Sequence, residues 1–114
     1  MISMMISTSC KMVEAYITTD GSSIRKLIHS LVHGNAAQSL ADATVPAGST
    51  TLLHRHKVTE EIYRILSGCG MMTLGKESIL VEEGESICIH PGTPHNIKNI
   101  GDDEFRLLSC LFTR

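Results

Sequence analysis

Residues 48–68 read Gly-Ser-Thr-Thr-Leu-Leu-His-Arg-His-Lys-Val-Thr-Glu-Glu-Ile-Tyr-Arg-Ile-Leu-Ser-Gly, and the periodicity of this stretch decides the fold. Thr50–His56 and Glu61–Leu66 both alternate with a period of two, the mark of a strand with one buried face. In the first segment His54 and His56 share a face with Leu52, while Leu53, Arg55 and Lys57 point to solvent. In the second, Glu61, Tyr63 and Ile65 share a face and Arg64 points away. A short turn between the segments makes a hairpin, which returns the Glu61 carboxylate to the two histidines.

Outward from this stretch the chain is a run of short strands with turn punctuation. Val13–Thr19 ends at the turn Asp20-Gly21. Ile24–Val32 fits both a strand and a short helix and is taken as a strand. Ser39–Val45, Gly68–Leu74, Glu77–Val81, Ser86–Ile89, Asn96–Ile100 and Glu104–Phe112 complete the set. With glycine at most junctions and no helical period of useful length, the pattern is that of an all-β sandwich or barrel. A chain of 114 residues holds one such domain, assigned to 13–114. Residues 1–12, apolar through Ile2, Met4, Met5, Ile6 and Met12, form an N-terminal extension that is either frayed or an arm on a partner subunit.

Composition removes several function classes. Hydrophobic residues make up 42% and charged residues 19%, which argues against disorder. Net charge is −2 and no run of Lys or Arg exists to follow a phosphate backbone, so nucleic acid is not expected as a partner. No apolar stretch approaches the roughly 20 residues that span a bilayer. The opening Met1–Ile6 lacks a basic start and does not read as a secretory signal, so a cytoplasmic location is expected. The cysteines Cys10, Cys69, Cys88 and Cys110 form no CxxC pair and are read as reduced, buried thiol filler.

A third histidine, His95, follows the rigid turn Pro91-Gly92-Thr93-Pro94, which aims it at one place. Three imidazoles and a carboxylate form a nitrogen-rich donor set that suits first-row divalent ions and is wrong for calcium or magnesium. By itself, His54-Arg55-His56 fits an exposed chance pair equally well.

The residues around it carry a resemblance. Gly48, His54, His56, Glu61 and Gly68 are spaced like the first motif of the cupin superfamily, and Gly84, Pro91, Gly92, His95 and Asn99 like the second. The chain resembles a small single-domain cupin, and this implies a cupin β-barrel, also described as a double-stranded β-helix, jelly roll or RmlC-like fold, with a metal inside one mouth. Carried over position by position, the resemblance implies His54, His56, Glu61 and His95 as ligands to one divalent transition metal per chain: Zn, Ni, Mn or Fe. His90 stands where the family usually has proline, at a position that is not a family ligand. Asn99 is expected to buttress a loop. Small cupins commonly pair through sheet faces or exchange terminal strands, which together with the apolar extension implies a homodimer.

The remaining polar residues are secondary. Tyr63 shares the inward face with Glu61, so its hydroxyl is the candidate catalytic group, with plain core packing an equal alternative. Glu60 is expected to face outward, His29 and His33 to lie at the surface or rim, and His90 to be a solvated loop residue. One of Met71 and Met72 is expected to line the pocket, and no Arg or Lys is placed inside it. Ligand imidazoles should find backbone carbonyls, amides or water for their second nitrogens. A small-molecule ligand follows, and the expected function is a metal-dependent enzyme acting on a small oxygenated molecule, a sugar or keto-acid isomerase or a dioxygenase. The alternative is a non-catalytic small-molecule or metal-binding module.

Overall fold

The structure is a computed structural model and describes residues 5–113. The chain runs β1 (Tyr16–Ile17), β2 (Ser23–Ile28), α1 (Ser30–His33), β3 (Gln38–Val45), β4 (Thr59–Ser67), β5 (Cys69–Leu74), β6 (Glu77–Glu82), β7 (Ser86–Ile89), β8 (His95–Asn99) and β9 (Phe105–Thr113). Antiparallel pairing builds one sheet in the order β1-β2-β3-β9-β4-β7 and a second in the order β6-β5-β8. The two sheets face each other as a jelly-roll barrel.

Period-two alternation places the core. On β4, Glu61, Tyr63 and Ile65 are buried while Ile62 and Arg64 are exposed, and on β8, His95, Ile97 and Asn99 are buried. Each of these inward faces carries a chemically active residue at one end and an aliphatic one further along. Val45, Ile65, Met72, Val81, Ile97 and Phe105, each at most 1% exposed, fill the barrel beyond that end. Phe105 occupies room that two glycines leave open. A Cβ on Gly68, whose φ is +95°, would sit 3.1 Å from the Phe105 Cα, and one on Gly70 would meet the Phe105 ring at 3.0 Å. Asn99 holds the neighbouring loop, donating to the carbonyls of Val45 and Asp103 and accepting from the Gly101 N–H.

Several expectations need correcting. Residues 50–56 are not a strand and form no hairpin with β4. They run beside β8, with single bridges at Thr50–Lys98 and His54–His95. The ladder is interrupted because the Ile97 N–H donates to the Thr51 hydroxyl and the Leu52 N–H to the Asp20 carboxylate. Leu52, expected inward, is 59% exposed. The segment from Ile24 is a strand only to Ile28 and then turns into the short helix α1. None of the cysteines is fully buried: Cys10 and Cys88 are exposed, Cys69 and Cys110 half-buried. Cys88 and Cys110 oppose Ile62 across β4, on its outward face. Part of the expectation for residues 1–12 lies outside the described residues. Within them, the Thr8 hydroxyl donates to the Leu27 carbonyl and the Cys10 thiol to Asp42.

Candidate metal centre

Two sheets contribute to one cluster. From the first comes Glu61, a residue only 4% exposed. From the second comes His95 at the start of β8, and beside it the segment carrying His54 and His56. His54 and His95 exchange both backbone hydrogen bonds, His54 N–H to His95 C=O at 3.1 Å and the reverse at 2.8 Å. Such a pair projects its side chains to the same side, and the two rings are 4.2 Å apart at their centroids. The Gly92 N–H donates to the His56 carbonyl, fastening the turn before His95 to the second histidine. The i, i+2 spacing thus brings both histidines to the site, although the carboxylate reaches them across the barrel rather than through a hairpin.

One donor atom from each of His54, His56, Glu61 and His95 lies within 4.8 Å of the others. Glu61 Oε1 is 2.9 Å from His95 Nε2 and 3.5 Å from His56 Nε2. Neighbouring donors on an ion with bonds of about 2.1 Å lie about 3.0 Å apart at right angles and about 4.2 Å when opposite. The cluster therefore fits a single transition-metal ion with small side-chain adjustments. In two of the three imidazoles the second nitrogen faces a backbone carbonyl: His54 Nδ1 lies 3.0 Å from that of Leu52 and His95 Nδ1 2.9 Å from that of Thr93.

His95 has acceptor oxygens 2.9 Å from both ring nitrogens, while a neutral imidazole has only one N–H. This spot demands positive charge, which a second proton or a cation can supply. Without an ion, burial works against the imidazolium, but the Glu61 hydrogen bond, the Thr93 carbonyl and the Glu61 charge raise the His95 pKa. Burial alone would raise Glu61, yet the hydrogen bonds from His95 and Ser109 and the nearby imidazole charge hold it below its ordinary value. His56, where burial dominates, is lowered.

Ser109 was not anticipated from the sequence. Its hydroxyl donates to Glu61 Oε2 at 2.6 Å, leaving Oε1 to face the imidazoles. The available signal was a polar residue between Leu107 and Leu111 on the inward face of β9. Tyr63 stands directly opposite Ser109 and is 7% exposed, its ring edge-on to His95. Burial first, and then the Glu61 charge, push its hydroxyl well above the ordinary tyrosine range, so it stays protonated.

The cluster opens onto a cavity of about 290 Å³. Its walls include Ile24, Val45, Ile97 and Leu107, with Tyr63 and Ser109 among the polar groups. Neither Met71 nor Met72 lines it; Met72 is instead wholly buried in the core. Lys26 does line it, contrary to expectation, because Ser22, Ile24 and Lys26 share one face of β2 and its approach. The Lys26 ammonium lies 5.5 Å from the Tyr16 ring centre. His29 and His33 lie away from the cavity in the hydrogen bonds of α1, and His90 is largely exposed.

Comparison with known proteins follows the same direction. The family model described as a cupin domain matches residues 41–111. An uncharacterised protein of Methanocaldococcus jannaschii is 49% identical over 107 residues, 94% of this chain and 86% of that one. An oxalate-binding protein of Thermotoga maritima is 30% identical over 77 residues, 68% of this chain and 64% of that one. The crystal structure of a predicted oxalate decarboxylase from Thermotoga maritima has a similar fold, with a TM-score of 0.82 at 23% identity, covering 96% of this chain and 100% of that one.

Proposed function

The chain belongs to the cupin domain family, and from that premise we propose that it holds one divalent transition metal on His54, His56, Glu61 and His95 and acts there on a small oxygenated acid. The observation that carries this reading is the convergence of three imidazoles and a buried carboxylate within 4.8 Å, beside a cavity. A nitrogen-rich set with one carboxylate suits Zn, Ni, Mn or Fe. When bound, such an ion polarises an oxygen donor of the ligand and stabilises negative charge on it.

The chain's own groups define the rest. A cavity of about 290 Å³ lies at the small end of ligand sites, so the ligand is compact. Ile97, Val45 and Leu107 keep water away from its inner part. Lys26 is an exposed residue at the edge of the cavity, its ammonium 5.5 Å from the Tyr16 ring centre, and among the described residues no salt bridge to a carboxylate holds it. It can therefore receive an anionic end of the ligand. Tyr63, kept protonated, lines the cavity beside Glu61 and can give up a proton to a ligand oxygen that has gained charge. Keto-acid isomerisation or dioxygenation are the reactions this arrangement serves. The similarity to an oxalate-binding protein supports the acid class and also favours a second reading, binding without turnover.

Elemental analysis of untagged protein tests the site: at least one transition-metal ion per chain is expected, and His95→Ala should hold about one fewer than the parent. A His95→Ala protein that holds as much metal as the parent would overturn the ligand assignment. Calorimetric titration of the metal-loaded protein with small mono- and dicarboxylic acids tests the ligand class. Lys26→Ala should weaken binding about tenfold, the loss of roughly one charge-assisted hydrogen bond. Product formation followed by NMR separates the enzyme from the binding module.

A further inference from the structure

On the outside of the barrel, away from the cavity, a second group of unlike donors converges. One donor atom each from Glu60, Cys88 and His90 lies within 4.8 Å of the others, with His90 Nδ1 3.8 Å from Glu60 Oε2. We propose that Glu60, Cys88 and His90 form a second, surface metal site that takes a thiophilic divalent ion such as zinc, with a fourth position open to water or another ligand.

The sheet itself dictates the placement. β4 and β7 pair with Glu61 opposite Ile89 and Ile62 opposite Cys88. Just past the end of that pairing, the Glu60 and His90 side chains approach to 3.8 Å. Cys88 and His90 are two apart and share the outward face, while Ile89 between them points into the core. The donors thus rest on a paired ladder whose register the buried Ile89 and Glu61 hold in place, since a one-residue slip would turn both outward. The Thr93 N–H donates to the His90 carbonyl, which fixes the chain where β7 ends.

Chemistry and distance agree with this assignment. Bonds of about 2.0–2.3 Å to a tetrahedral ion put its ligands about 3.3–3.8 Å apart. For an imidazole and a carboxylate, with bonds near 2.0–2.1 Å, the value is about 3.3–3.5 Å, and the Glu60–His90 contact at 3.8 Å lies within a few tenths of an ångström of it. An imidazole–carboxylate contact at 3.8 Å with the imidazole 79% exposed is worth little as an ion pair. A thiolate, an imidazole and a carboxylate on one small patch suit zinc, whereas magnesium and calcium want oxygen alone. Cys88 is exposed, so the ion can reach it without opening the barrel. Three protein ligands with a fourth position free is the arrangement of zinc sites that exchange a ligand.

Cobalt(II) separates this site from the inner one, because the inner donor set contains no sulfur. Protein stripped of metal and then titrated with cobalt(II) should bind two ions per chain and develop the near-ultraviolet sulfur-to-cobalt charge-transfer absorption. Cys88→Ser should abolish that absorption and remove one equivalent of metal. His90→Gln should weaken the absorbing site at least tenfold. His95→Ala should lower total metal but keep the absorption, so that failure of the inner assignment and failure of this one are distinguishable. A variant with Cys10, Cys69 and Cys110 changed to serine should retain the absorption. No sulfur-to-cobalt absorption at saturating cobalt, or an absorption unchanged in Cys88→Ser, would overturn the proposal.

Discussion

Replacing Ser109 with alanine tests whether the inner cluster is built to present one carboxylate oxygen. The Ser109 hydroxyl donates to Glu61 Oε2 at 2.6 Å, and Glu61 is 4% exposed, so water cannot readily replace the lost donor. Hydrogen bonds to a charged group contribute about 1.5–3 kcal/mol, and a buried acceptor without its donor falls in the upper half of that range. Part of the loss appears as stability of the fold. The rest appears in metal affinity, because Oε2 without Ser109 is free to turn and Oε1 leaves its place 2.9 Å from His95. Loss of a group that orients a metal ligand weakens binding about 10–100-fold. Competition against a chromophoric chelator measures this directly, with thermal melting of the metal-free protein run in parallel. A lower melting temperature with unchanged affinity would refute the reasoning, since Ser109 would then support the fold and not the geometry of the site.

Two further outcomes follow from local chemistry. Partial burial works to raise the pKa of Asp20, but hydrogen bonds from the Thr18 hydroxyl, the Ser22 N–H and the Leu52 N–H outweigh it and lower it to about 2. A carboxyl with a depressed folded-state pKa adds stability that is complete above its unfolded value near 3.8 and is lost as pH falls toward 2. After discounting for solvent screening this is about 1 kcal/mol; Asp20→Asn should melt lower than the parent at neutral pH, with the gap closing by about pH 2, and a pH-independent gap would remove charge from the explanation. Gly70→Ala places a methyl group 3.0 Å from both Ile97 and Phe105, and should cost about 1–3 kcal/mol in denaturant unfolding. Combining it with Phe105→Leu should recover part of that loss, and strict additivity would show that the two residues do not compete for one space.

Much of this was legible in the sequence because its signals are local. Alternation along residues 61–66 is a backbone property, and it places Glu61, Tyr63 and Ile65 inward without knowledge of the fold. The histidine spacing and the rigid turn before His95 work in the same way. What could not be read is pairing between distant segments. Thr50–His56 has strand-like alternation, but whether it forms a ladder depends on competitors for its hydrogen bonds, and the Asp20 carboxylate takes the Leu52 N–H. Lys26 follows Arg25 directly, and two adjacent cations on a short strand read as solvent positions. Nothing local to β2 says that its face closes a cavity opposite β4. Cys88 and His90 were read one at a time, and only the β4–β7 register adds Glu60 to them.

The division of the inner cluster between two sheets has a consequence for what controls it. Glu61 and Ser109 belong to strands of the larger sheet, His95 to the smaller one, and the segment of His54 and His56 is fastened to β8. Within each sheet hydrogen-bonded pairing holds the donors at set distances. Between the sheets, the distance from Glu61 to the imidazoles depends on the thickness of the core, set by side chains such as Phe105, Met72 and Ile97. Interiors packed to near crystal density transmit a change of one methyl group as a shift of backbone. Gly70→Ala, far along β5 from every ligand, pushes against both Ile97 on β8 and Phe105 on β9. It therefore acts on the two sides of the cluster at once and should weaken metal binding as well as the fold. An exposed change of similar size on β6, such as Ser78→Ala, should alter neither, and comparing the two by chelator competition separates core thickness from general loss of stability.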